Sequence, residues 1–192
     1  MIIGYSISGS DNDSYLFPDG WGKSICEVSD FVLNRENYIN GRFSVKRKNK
    51  NLSNTYDGAT IVSQKFRDFC LRNSYLSVQF YQLEKQPELY LMKVNSIVEF
   101  DTDRRQTRFE DFNQECNMYN SIVGANPVCL KTTNALSDNF NRTDILFGSG
   151  YEQHPLTIIG VETFKKMKAE KFNDIDFHPI QDVYEWENKD SI

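Results

Sequence analysis

A helix–turn–strand pattern that occurs twice constrains this chain more than any other feature. The first copy runs from Ile61 to Leu83 (IVSQKFRDFCLRNSYLSVQFYQL) and the second from Ile159 to Ile180 (IGVETFKKMKAEKFNDIDFHPI). Both open on an aliphatic residue, and Gln64-Lys65-Phe66 matches Glu162-Thr163-Phe164. After one gapped position, Phe80 and Leu83 fall opposite Phe177 and Ile180. In the first copy Val62, Phe66, Phe69 and Cys70 recur at helical spacing, and Leu76 to Phe80 then alternates as a half-buried strand does. In the second, Phe164, Met167 and Phe172 mark the helix, and Ile175, Phe177 and Ile180 the strand. Such units predict an α+β fold: a twisted antiparallel sheet with both repeat helices packed on it, behind an irregular, β-rich N-terminal region.

The segments outside the repeats read less clearly. Residues 1–56 look strand- and loop-like, with Pro18-Asp19-Gly20 as a turn and Phe31-Val32-Leu33 as a strand or a short helix. The run Lys46 to Asn51 is basic, but no aromatic residue interleaves with its charges, so it reads as a solvated loop rather than a nucleic-acid surface. Residues 57–192 read as one continuous globular unit. Within it, Leu89 to Phe100 predicts one long strand with Tyr90, Met92, Val94, Val98 and Phe100 on one face, paired in a hairpin with the strand before it. Residues 106–125 show no clean period. Val128-Cys129-Leu130 and Asp144 to Phe147 read as strands, and Gly148-Ser149-Gly150 as a flexible link.

Tests for chemistry return little. The Gly148 to Gly150 segment lacks the Lys-Ser/Thr of a phosphate loop and the spacing of a dinucleotide site. Neither a GxSxG elbow nor an HExxH pair occurs. The only histidines, His154 and His178, each precede a proline, which favours extended backbone at strand edges or turns. The four cysteines form no CxxC pair and read as buried free thiols. Asp101/Asp103 and Asp174/Asp176 sit at strand period, yet two carboxylates are fewer than an oxygen-rich metal site needs. No catalytic residue, metal or cofactor is therefore expected. A run of about 18 apolar residues is absent, which argues against a membrane span. The N-terminus lacks a basic n-region, so the expected location is the cytoplasm.

Charge points elsewhere. Residues 174–192 carry six acids against one base, leaving 21 acids and 21 bases in residues 1–173. The net charge of −5 is thus confined to the C-terminal end, which favours basic partners and disfavours nucleic acid. Aromatic residues lie among those acids, as in an interface anchor with steering charges. The expected partner-binding residues are Asp174, Asp176, Asp182, Tyr184, Glu185, Trp186 and Glu187.

The segment from Gly58 to Asp103 resembles a large bacterial family of immunity proteins for polymorphic toxins, once catalogued only as a domain of unknown function. The matching pieces are Ile61-Val62-Ser63, Val78-Gln79-Phe80-Tyr81, Tyr90-Leu91-Met92-Lys93-Val94 and Val98-Glu99-Phe100-Asp101. The helix from Val161 to Lys171 and Ile175-Asp176-Phe177-His178-Pro179-Ile180 are similar as well. The resemblance implies no catalytic residues. It implies a cytoplasmic antitoxin of interbacterial competition, as in type VI secretion, that occludes the active site or substrate entry of one cognate toxin. A homodimer stays open. Two other classes stay open too: a small-ligand or nucleotide-processing enzyme using Arg104, Arg105 and His178, and a structural accessory protein that self-associates.

Overall fold

The computed structural model describes residues 1–187 of the chain. Eleven strands form one sheet: β1 (Ile2–Asp11), β2 (Leu52–Asn54), β3 (Thr60–Ser63), β4 (Val78–Gln82), β5 (Leu89–Val94), β6 (Ile97–Val98), β7 (Arg108–Asn113), β8 (Met118–Val123), β9 (Phe140–Ser149), β10 (His154–Ile159) and β11 (Ile175–Gln181). Four α-helices accompany them: α1 (Ile25–Leu33), α2 (Gln64–Arg72), α3 (Thr102–Arg105) and α4 (Val161–Ala169). Along the sheet the order is β4-β5-β3-β2-β1-β10-β9-β8-β7, with β11 on β1 and β6 on β9. Pairing is mostly antiparallel; β1–β2 and β6–β9 are parallel. The fold is α+β.

The N-terminal region is more regular than its composition suggests. β1 is ten residues long and joins the two halves of the sheet. It pairs with β10 through Tyr5–Ile7, with β11 from Ile2 to Gly9, and with β2 at Ser10 and Asp11. The ambiguous segment around Phe31 is helix. Ser24 accepts from the Glu27 backbone N–H while Glu27 accepts from the Ser24 backbone, a closed capping box that fixes where α1 begins. Ile25, Val28, Phe31 and Val32 then turn one apolar stripe inward.

α2 and α4 cover the same face of the sheet. α2 starts where the Ser63 hydroxyl accepts from the Phe66 N–H at 3.3 Å. α4 has Gly160 at its start, because a Cβ there would stand 2.0 Å from the Ser137 carbonyl oxygen. Phe66, Phe69, Met167 and Phe140 are buried together, with Phe80, Phe164, Phe172 and Phe177 packed partly buried against them. On the opposite face α1 lies over Ile61, Leu89 and Leu91, and Ile3, Ile158 and Ile180 pack with Phe100, Phe147 and Leu130. Both faces are therefore covered, which explains why β5 is buried at five of its six positions rather than alternating.

Several sequence expectations need correction. Val62 belongs to β3 rather than to a helix, Phe172 falls beyond the end of α4, and Leu76 is exposed ahead of β4. The single strand from Leu89 to Phe100 breaks at Asn95-Ser96, where Asn95 N–H donates to the Ser77 carbonyl and Ser96 O accepts from the Arg142 N–H. Tyr90, Met92 and Val94 belong to one core, whereas Val98 and Phe100 belong to another. Val128-Cys129-Leu130 is not a strand and contributes only a single bridge between Leu130 and Phe100. Gly148 and Ser149 end β9, and Gly150 starts a tight 3-10 turn to Glu152, so this glycine pair is structured rather than a loose link. Two of the four cysteines are not free: Cys26 and Cys116 form a disulfide between α1 and the β7–β8 turn, while Cys70 and Cys129 are buried thiols. The unpatterned stretch before residue 125 is itself a hairpin, β7–β8. Its faces are half-exposed and Asp111 takes φ 55°, so no periodic signal survives.

Candidate interaction site at the C-terminal edge

β11 carries the chain to this site as a strand paired with β1 alone among the described residues. Its apolar residues Ile175 and Phe177 pack partly buried, and Ile180 is fully buried. The alternate positions, Asp176 and His178, are exposed, as is Asp174 immediately before the strand. Asp174 takes φ 60°, which turns the chain sharply into β11 and separates its carboxylate from any strand-period pairing with Asp176.

Beyond β11 the chain is fastened rather than loose. The Met1 ammonium pairs with the Asp182 carboxylate, and the Asp182 N–H donates to the Met1 carbonyl at 3.1 Å. Tyr184 is buried, and its hydroxyl donates to the Val128 carbonyl at 2.7 Å. Burial pushes its phenol upward from the ordinary value. Arg104 of α3 grips the following turn. Its guanidinium forks onto the Glu187 carboxylate, donates to the Asp182 carbonyl at 2.6 Å, and lies 5.5 Å from the centre of the Tyr184 ring. Such a fork is the strong geometry for an arginine–carboxylate pair. Hydrogen bonding to Arg104 holds Glu187 below the usual carboxylate range, and the Met1 ammonium does the same for Asp182. Trp186 stacks on Tyr184 with an interplanar angle of 12° and stays 42% exposed.

The seven expected contact residues therefore divide. Asp182, Tyr184 and Glu187 are bonded within the protein. Asp174, Asp176 and Glu185 are exposed, and among the described residues no hydrogen bond or ion pair satisfies their carboxylates. Trp186 shows an open aromatic face beside Glu185, whereas Asp174 and Asp176 lie at the opposite end of β11, where Asp176 stands across from Ser8. The last residues of the acidic run, including Asp190, lie outside the described residues.

Other candidate centres do not assemble. Arg104 is occupied by Glu187, Arg105 donates to the Asn126 carbonyl, and His178 sits on β11 opposite Ser6; among the described residues no hydrogen bond links the three. Asp101 and Asp103 do not share a strand face. Asp101 caps α3 by accepting from the Arg104 N–H at 2.9 Å, and Asp103 lies within the helix. His154 begins β10, 2.8 Å from the Glu152 carbonyl oxygen, and burial lowers its pKa. Among the described residues no group of three or more His, Cys, Asp or Glu is placed to hold a metal ion, and no helix is long and apolar enough to cross a membrane. The sequence grouped Arg104 with Arg105 and His178 and did not reveal its clamp on Glu187, because that partner lies 83 positions away, beyond any local pattern.

Compared with protein-family models and with curated proteins, the chain matches none.

Proposed function

We propose that the chain is a cytoplasmic immunity protein that binds a cognate bacterial toxin and occludes its active site or substrate entry. The observation that carries the reading is the unspent acidity of the C-terminal edge. Asp182 and Glu187 are neutralised internally, so the remaining field comes from Glu185 beside the open face of Trp186 and from Asp174 and Asp176 at the other end of β11. An exposed aromatic anchor with unpaired carboxylates along the same strand edge suits a basic surface, and toxins that act on nucleic acids or nucleotides present one. The resemblance of the 58–103 segment to immunity proteins supports the same reading.

The chain pattern also supports treating the two helix–strand units as copies. α2 joins β3 to β4, which flank β5, and α4 joins β10 to β11, which flank β1; every one of these four pairings is antiparallel. In this reading the copies form the scaffold, and function sits where their charges differ, at β11.

The direct test is protection. The variable C-terminal domain of a large secreted protein encoded in the adjacent reading frame would be expressed in a susceptible bacterium with and without this chain. Restored growth with the chain is expected. Equal killing in both strains contradicts the proposal.

A further inference from the structure

A second region carries chemistry unrelated to the acidic edge. Between β5 on one half of the sheet and β9–β10 on the other lies a cavity of about 130 Å3. Val32, Leu91 and Leu146 supply apolar wall, and Arg35, Glu36, Lys93 and Arg142 supply charge. Three cations face one anion, and that anion is already used: Glu36 is paired with Lys93.

The two arginines differ in what they have left to give. Arg35 is buried, and its donors go to the backbone carbonyls of Val32, Asp57, Tyr151 and Gln153, with no carboxylate bonded to it. Desolvation lowers its pKa to about 10, the mark of a buried cation that lacks full compensation. Arg142 makes one side-chain hydrogen bond, from Nη1 to the Thr143 carbonyl at 3.1 Å; among the described residues its other N–H groups have no acceptor. It stands directly across from Thr157 on β10, beside the register shift between Pro155 and Thr157 that locally disrupts the ladder. Such irregularities re-aim side chains into sites.

We propose that this cavity binds a small aliphatic carboxylate, with its carboxylate on Arg142 and its hydrocarbon chain against Val32, Leu91 and Leu146. Size sets the class: an apolar cavity of about 150 Å3 takes a benzene-sized guest, so this one suits a molecule of about six heavy atoms. A planar carboxylate matches the free fork of Arg142 better than a point anion does. The inference does not depend on the proposed toxin binding.

The test uses the full chain, with butyrate as the probe and butyramide as its neutral isostere, followed by amide NMR shifts. Butyrate is expected to give saturable shifts centred on residues 91–93, 142 and 157. Binding of butyramide, and of butyrate to Arg142→Gln, is expected to be weaker by about tenfold or more, the value of a charge-assisted hydrogen bond. Leu33→Trp provides a second variant. Leu33 lines the cavity and is 56% exposed, so the larger ring blocks entry without disturbing the core, and butyrate binding should disappear while the remaining spectrum is kept. Three results would overturn the proposal: no saturable shift with butyrate, equal affinity for butyramide, or the same shifts from sodium phosphate at matched ionic strength.

Discussion

Arg104 shows how one side chain sets the state of a whole terminus. Its fork on Glu187 holds the turn that carries Tyr184 and Trp186. Because Glu187 is depressed in the folded chain from 4.5, its contribution is full above that ordinary value and is lost as pH falls through the lower folded value. Acid titration should therefore release Trp186 below about pH 4.5, seen as a change in tryptophan emission, while Glu187→Gln should show the released signal already at pH 7. Identical acid profiles for the two proteins would contradict the clamp. Gly160 makes a steric claim at the same scale. A Cβ there would stand 2.0 Å from the Ser137 backbone oxygen, so Gly160→Ala should cost about 3 kcal/mol in chemical denaturation. A loss below about 0.5 kcal/mol would show that the approach of residue 137 is easily relaxed.

Individual elements differ in how far the sequence reveals them. The sequence left the segment around Phe31 between strand and short helix; the capping box of Ser24 and Glu27 ahead of Val28, Phe31 and Val32 decides for helix in the structure. Breaking it by Ser24→Ala should cost about 1 kcal/mol, with the loss in α1 seen as faster amide exchange at Ile25 to Val28. α2 and α4 were readable because each buries a single stripe against the sheet. The β7–β8 hairpin was not, because neither of its faces is fully buried and nothing forces its residues to alternate. The break after Val94 was also hidden. The apolar run continues through it, and only the long-range bonds of Asn95 and Ser96 to residues 77 and 142 mark the change of partner strand. The disulfide was the least legible link, since Cys26 and Cys116 lie 90 residues apart. Closing a loop of that length should stabilise the folded chain by about 4–5 kcal/mol in the chain-entropy model. Equilibrium unfolding with and without reductant measures this, and no difference would mean that the clasp only follows a fold already fixed. The proposed cytoplasmic location adds a further expectation: rapid alkylation in intact cells should trap Cys26 and Cys116 as thiols.

At the scale of the molecule, β1 is the keystone. It pairs with β2, β10 and β11, so the halves bearing α2 and α4 share one continuous core around Phe66, Phe140 and Met167. That role was invisible in the sequence because the partners of residues 2–11 lie far along the chain, and nothing local says that this strand bridges the two halves. The acidic bias of the C-terminal run was legible from charge alone. Its division into internally paired and unspent carboxylates required the positions of Met1 and Arg104. The central claim rests on that division. The decisive measurement is the affinity of the adjacent-frame toxin domain for the wild-type chain and for the Asp174→Asn/Asp176→Asn/Glu185→Gln variant across a range of salt. The account predicts a weaker variant, by about tenfold or more at low salt, with a flatter salt dependence than the wild type. Equal affinity and equal salt slopes would contradict it and assign these charges to guarding an exposed strand edge against self-pairing.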